Sequence, residues 1–196
     1  MNRKNLRSLA AGVALLLAVG ALAGCGGEKK ADDSKKMVTV GIAQLVEHGA
    51  LDAANKGFVA GMASKGFKEN ENVKYDRQNA QADQSNLQNI AQRFVSNKVD
   101  LICAIATPTA QTMANATKDI PIVATAVTDY EVAKLAASNN EPKGNVTGTS
   151  DMNPIDQQLE LLLKIAPQTK NIGTVYSSSE VNSQLQVDVL RKLAGD

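Results

Sequence analysis

From Met37 onward the chain reads as an α/β protein built on parallel sheet in three layers, and two observations carry that reading. Short apolar runs alternate with segments of helical period, the order expected of strand, crossover helix and next strand. One of those runs, Val99–Ala106, is apolar at almost every position, as a strand covered on both faces should be.

The elements follow in order. Val38–Ala43 is the first strand, and a helix from about Leu51 places Leu51, Ala54, Phe58 and Met62 on one face, with Gly66 positioned to end it. Val73–Gln78 is a more polar strand, suited to the sheet edge. Leu87, Ile90, Ala91, Phe94 and Val95 form the clearest helical stripe, capped by Asp83 or Ser85. After Val99–Ala106, Thr107-Pro108-Thr109 offers a capping hydroxyl, a proline for the first helical position and a second hydroxyl, so a strand runs into a helix N-terminus. Ile120–Val127 is a fourth strand and Asn145–Ser150 a short extended segment. Asn153-Pro154 opens a capped helix to about Ala166, where Pro167 stops it. Ile172–Tyr176 is a new strand, and Ser178 or Ser179 caps a last helix over residues 180–194.

The division expected is an N-terminal α/β lobe over residues 37–150 and the start of a second α/β lobe over 151–196. The latter holds too few elements to bury a core of its own, so it is read as incomplete, and the chain as part of a longer two-lobed protein. Residues 1–24 have the features of an export signal: Arg3, Lys4 and Arg7 precede an apolar run from Leu9 to Ala23. The run is rich in alanine and glycine, unlike the ~20 strongly apolar residues of a spanning helix. It leads into Leu22-Ala23-Gly24-Cys25, which resembles the lipobox of bacterial lipoproteins. In that family the cysteine sulfur receives a lipid and the chain is cut just before it. Cys25 is therefore the expected lipidation site, and residues 25–36, glycine and mixed charge with little to bury, a flexible tether. Such a chain is held at the cell membrane by its acyl chains, palmitate among them, on the extracytoplasmic face.

Charge and composition exclude several classes. Three of the 21 Lys and Arg lie in the first 24 residues, so the processed chain keeps 18 against 20 Asp and Glu, a formal charge of −2. That balance, with 3 % aromatic residues and no tryptophan, gives no basis for a nucleic-acid partner. With Cys25 committed to lipid, Cys103 has no partner for a disulfide within the chain and reads as a small buried hydrophobe. His48 is the only histidine and has neither a second histidine nor a free cysteine for a metal site. No Gly-x-Ser-x-Gly elbow, phosphate loop or dinucleotide fingerprint follows a strand, so no enzyme and no cofactor are expected.

Four segments, in order, resemble one family. Gly41-Ile42-Ala43-Gln44-Leu45-Val46-Glu47-His48-Gly49-Ala50-Leu51-Asp52 is similar to the first strand and loop of the substrate-binding lipoproteins of ABC transporters, of the type that binds tryptophan and other aromatic amino acids. Thr107-Pro108-Thr109-Ala110 resembles the turn after that family's third strand. Gly148-Thr149-Ser150-Asp151 with Pro154 resembles its crossing into the second lobe, and Val175-Tyr176-Ser177-Ser178-Ser179-Glu180-Val181-Asn182-Ser183 resembles a loop of that lobe. The family more often has proline at the position of Gly49 and asparagine at that of Ser177.

The resemblance implies a type I periplasmic-binding fold, with doubly wound parallel sheets in two lobes and a small ligand between them, delivered to an ABC permease and its ATPase. For an amino acid, charge assigns the roles. The helix after Thr107, with the hydroxyls of Thr107 and Thr109, suits a carboxylate. Glu180, with Asp129 as a second candidate, suits the ammonium. Gln44, Asn182 and Ser183 supply neutral hydrogen bonds, Leu45, Val46 and Tyr130 touch the side chain, and His48, Tyr176 and Ser178 complete the candidate set. Structural roles compete at several positions: Thr107 as a cap, Glu180 as a complement to its helix dipole, Tyr176 as core, and His48 as the brace of its own loop. A nucleoside or sugar ligand, or a sensor of the same fold, remains the alternative.

Overall fold

The computed structural model describes residues 37–142 and 144–195; the export signal, Cys25 and the tether lie outside the described residues. Five strands form one sheet: β1 (Val38–Gln44), β2 (Val73–Asn79), β3 (Leu101–Ile105), β4 (Ile122–Val127) and β7 (Val146–Ser150), in the order β2-β1-β3-β4-β7. Every neighbouring pair is parallel. The crossovers are α1 (Gly49–Ser64), α2 (Gln84–Ser96) and α3 (Thr107–Ala116), while β5 (Ala136–Ser138) and β6 (Glu141–Pro142) pair antiparallel between β4 and β7. Two further helices, α4 (Ile155–Ile165) and α5 (Val181–Ala194), complete the described chain.

Successive strand residues point to opposite faces, and the core divides accordingly. On one face Ala43, Ile102, Ala104, Ile122 and Ala124 meet Leu87, Ile90 and Phe94 of α2 and Ala110 and Met113 of α3. On the other, Val40, Ile42, Cys103 and Ile105 meet the half-buried Leu51, Ala54, Phe58 and Met62 of α1. These are the three layers read from the sequence. The polar β2 lies at the edge, paired with β1 from Val38↔Val73 to Gln44↔Asn79. Gly41 is what lets α2 come close, since a Cβ there would stand 2.7 Å from the Phe94 ring.

Several local expectations are corrected. Val95 of the α2 stripe is 37 % exposed, because α2 buries only Leu87, Ile90, Ala91 and Phe94. Asp83, not Ser85, caps α2, its carboxylate accepting from the Asn86 amide at 2.8 Å. Asn153 does not cap α4; its side-chain amide donates to Gln186 of α5 at 2.9 Å. Neither Ser178 nor Ser179 caps α5, whose cap position is Glu180 with no side-chain bond. The extended segment Asn145–Ser150 supplies the fifth strand of the sheet, β7, because β4 offers it an open edge. Ile172–Tyr176 is not a strand: among the described residues 151–195 no other strand is present for its backbone to pair with, and Val175 is fully exposed.

Phe94, beneath the sheet, is the largest of the fully buried side chains among the described residues. Phe94→Ala is expected to lower unfolding free energy by about 3–5 kcal/mol, measured by urea denaturation of the full chain.

Candidate functional site

In a sheet whose strands all run one way, the loops that follow β1, β3 and β4 emerge at a single edge, where open α/β sheets take their ligands. The β1 loop is held from within. Gln44 is buried, and its amide donates to the Val46 carbonyl at 2.9 Å and to Asp52 Oδ1 at 2.7 Å, while its oxygen accepts from Asn55 at 3.1 Å. Both donors and the acceptor thus brace the loop against the first turns of α1. His48 is the N-cap of α1, its Nδ1 accepting from the Ala50 amide at 3.3 Å, so the loop-bracing role is the one observed.

The β3 turn differs from expectation at its cap. Ala106 holds that position, with φ +87° and ψ 152°, a backbone region that is costly for any residue but glycine. Thr107 therefore lies inside the helix and is not its cap. Pro108 fits the first turn because no amide is needed there. The hydroxyls of Thr107 and Thr109 are buried and have no hydrogen-bond partner among the described residues. Unsatisfied buried hydroxyls are costly, and here two stand beside the free amides of one helix N-terminus.

The β4 loop is also self-supporting. Asp129 accepts from the Val132 amide and from the Asn139 side chain, both at 2.7 Å, which commits both carboxylate oxygens. Tyr130, expected at the ligand side chain, is instead buried in the core on the α2–α3 face, and burial pushes its hydroxyl up to about 12.

A hollow of about 560 Å³ joins the β1 loop and α3 to the segment before α5, while Thr107, Thr109 and the β4 loop are not among the residues that line it. Its walls include Leu45 after β1, Ala82 after β2, Leu87 of α2, Pro108 of α3, and Ser179 and Glu180. Glu180 is partly buried, and its Oε2 accepts from Asn182 at 3.2 Å; the Asn182 side-chain oxygen is buried without a partner. Pro108 and Glu180 thus share one space. Tyr176 and Ser183 line a different hollow, of about 340 Å³, against Leu159 and Leu162 of α4 and Val187 of α5. Ser178 is exposed and lines neither. Sequence reasoning missed Gln111 and Thr112, which line the larger hollow; the signal was their position one helical turn beyond Pro108. Among the described residues no cluster of His, Cys, Asp and Glu could hold a metal ion.

Comparison with known proteins places these features. A family profile described as ABC transporter substrate binding protein matches residues 39–196. A curated relative named tyrosine-binding protein, from Clostridioides difficile (strain R20291), is 50 % identical over 201 residues. That match takes in 98 % of this chain and 57 % of the relative, so the chain spans little more than half its length. A solved ABC domain from Streptococcus pneumoniae in complex with L-Trp is 42 % identical, with a TM-score of 0.79, over 82 % of this chain and 54 % of that one. The ligand-free, open structure of a substrate binding protein with adhesive properties from Clostridium difficile is 52 % identical, with a TM-score of 0.68, over 81 % of this chain and 54 % of that one. The fold of this chain is accordingly the type I periplasmic-binding fold.

The strain at Ala106 makes a stability prediction opposite in sign to most core changes. Ala106→Gly is expected to raise unfolding free energy by about 1 kcal/mol, relief of the backbone exceeding the entropy cost of glycine. Thermal and urea unfolding of the two proteins checks it.

Proposed function

We propose, on the premise that this chain belongs to the ABC transporter substrate binding protein family, that it is an extracytoplasmic receptor for an aromatic amino acid. It holds the ligand between two lobes, residues 37–150 and the lobe that begins at 151, and delivers it to an ABC permease and its ATPase without chemistry. A curated relative at 50 % identity is named for tyrosine, and a solved relative at 42 % holds L-Trp.

The observation that carries this reading is the helix N-terminus at Thr107–Thr109. Two buried hydroxyls without partners stand at amides that α3 cannot satisfy internally, and Pro108 between them lines a hollow of about 560 Å³ whose walls include Glu180. A carboxylate would accept from the amides and hydroxyls and sit in the positive field of the helix end. Glu180 would take the ammonium at the opposite end of the same molecule. Gln44, His48 and Asp129 act through the loops they hold, while Tyr176, Ser178, Asn182 and Ser183 come to the ligand by movement of the segment around α5. Leu45, which lines the hollow together with Pro108, offers apolar surface to an aromatic ring.

The same reading places the chain on the outer face of the cell membrane, tethered through a lipid on Cys25 by way of residues 25–36. No helix among the described residues is long and apolar enough to cross a membrane.

Calorimetry of the two-lobed protein, with the lobe that begins at 151 complete, is expected to show one-site binding of L-tyrosine and L-tryptophan with both ligands recovered unchanged. Thr109→Val and Glu180→Ala are each expected to weaken it at least tenfold, the loss of a charge-assisted contact. Unchanged affinity in Glu180→Ala would remove the ammonium role, and conversion of the amino acid to a product would overturn the receptor reading. Cys25→Ser is expected to abolish incorporation of labelled palmitate and to move the protein from the membrane fraction to the soluble one.

A further inference from the structure

Where the chain leaves its first sheet, the β4–β7 ladder is broken on purpose. Ala124 pairs with Gly148 and Val127 with Ser150, so two residues of β4 bulge against one of β7, and Ala126 takes φ +55° to make the bend. A bulge leaves carbonyls unpaired. Tyr130 serves them: its hydroxyl lies 3.0 Å from the Ala124 oxygen on β4 and 3.2 Å from the Thr149 oxygen on β7. Gly148 is obligatory in this arrangement, since a Cβ there would collide with both the Ala124 carbonyl and the Tyr130 hydroxyl.

The contacts continue into the crossing itself. The Asp151 amide donates to the Val127 carbonyl at 3.0 Å, the Ser150 hydroxyl donates to the Thr128 carbonyl at 2.7 Å, and the Met152 amide donates back to the Ser150 hydroxyl at 3.1 Å. Behind Tyr130 the support is equally specific. Its amide donates to the Asn139 side-chain oxygen at 2.7 Å, and the Asn139 amide donates to Asp129. A strut thus runs from the β5–β6 hairpin through Asp129, Asn139 and Tyr130 to the point where residues 150–152 set out from the sheet.

We propose that Tyr130 is a positioning residue for ligand capture: by joining β4 to β7 at the bulge it fixes the direction in which the crossing leaves the first lobe, and thereby the range over which the two walls of the cleft close. The inference rests on the reading of a ligand held between lobes. A buried tyrosine that only filled space would need its ring; this role needs its hydroxyl.

The test uses the two-lobed protein, with the lobe that begins at 151 complete, and spin labels at two exposed positions, introduced as Asn89→Cys on α2 and Lys192→Cys on α5. Cys103 does not interfere, being fully buried with its thiol pushed up to about 12 by burial. Tyr130→Phe, which keeps the ring, is expected to broaden the label-to-label distance distribution without ligand and to weaken L-tyrosine and L-tryptophan binding about tenfold. Ser150→Ala, which removes the next contact along the crossing, is expected to broaden it in the same sense and keeps the question decidable if Tyr130→Phe fails to fold. A lower melting temperature with an unchanged distance distribution in either folded variant means a structural role only, and overturns the proposal. Absence of amino-acid binding in the unsubstituted protein would instead defeat the receptor reading, while the distance distributions still decide the role of Tyr130.

Discussion

The rest of the structure depends on the burial of β1 and β3 on both faces. A strand covered above and below cannot be reached by a hairpin that leaves one face wet, so its neighbours are parallel and each return is a crossover helix. Val40 and Ile42 point to α1 while Gly41 and Ala43 point to α2, and the close approach of Phe94 to Gly41 seals the second layer. Once the strands run one way, their C-terminal ends cannot avoid a common edge. The site is therefore a consequence of core packing before it is a matter of particular polar residues.

At that edge the polar groups divide by what they already hold. Gln44, His48 and Asp129 spend their hydrogen bonds on their own loops, so they fix the shape of the edge and leave little for a guest. Thr107 and Thr109 do the reverse, with buried hydroxyls unpaired and a strained Ala106 turning the chain into the helix. Strain and unsatisfied groups persist only where surrounding packing over-determines them. Here Ile105 and Thr109, both fully buried on either side of the turn, supply that packing. On the proposed reading, a rigid edge with its cost concentrated at one helix end is organised for a ligand before the ligand arrives.

Sequence carried the layers well because burial has a period. The α2 stripe, the apolar β3 and the polar edge strand β2 were all legible from spacing, and so was the edge at which the loops gather. Caps were read less well. Thr107, Asn153 and Ser178 or Ser179 have the right chemistry for caps, yet Ala106, Pro154 and Glu180 hold those positions, because chain direction at a helix entry is set by the preceding turn and not by which nearby side chain has an oxygen. Site residues were read at the level of the loop rather than the atom. Composition shows that Gln44 is polar at a strand end; only coordinates show that Asp52 and Asn55 have already claimed it.

Residues 146–150 and 172–176 make the remaining point. Both are short extended segments in the sequence, and the second is the more apolar. Yet Val146–Ser150 is a strand and Ile172–Tyr176 is not. The first finds the open edge of β4, whose carbonyls and amides complete its ladder; the second has no such edge within the described residues, and its apolar side chains stay partly or wholly exposed. Strand propensity is thus a statement about neighbours as much as about residues. The same logic governs the cleft: its wall at Glu180 is positioned by a segment with few backbone partners, whereas its wall at Pro108 is anchored in a finished sheet. In the proposed receptor the wall at Glu180 is the one that would move on a ligand, and the wall at Pro108 is the one set beforehand.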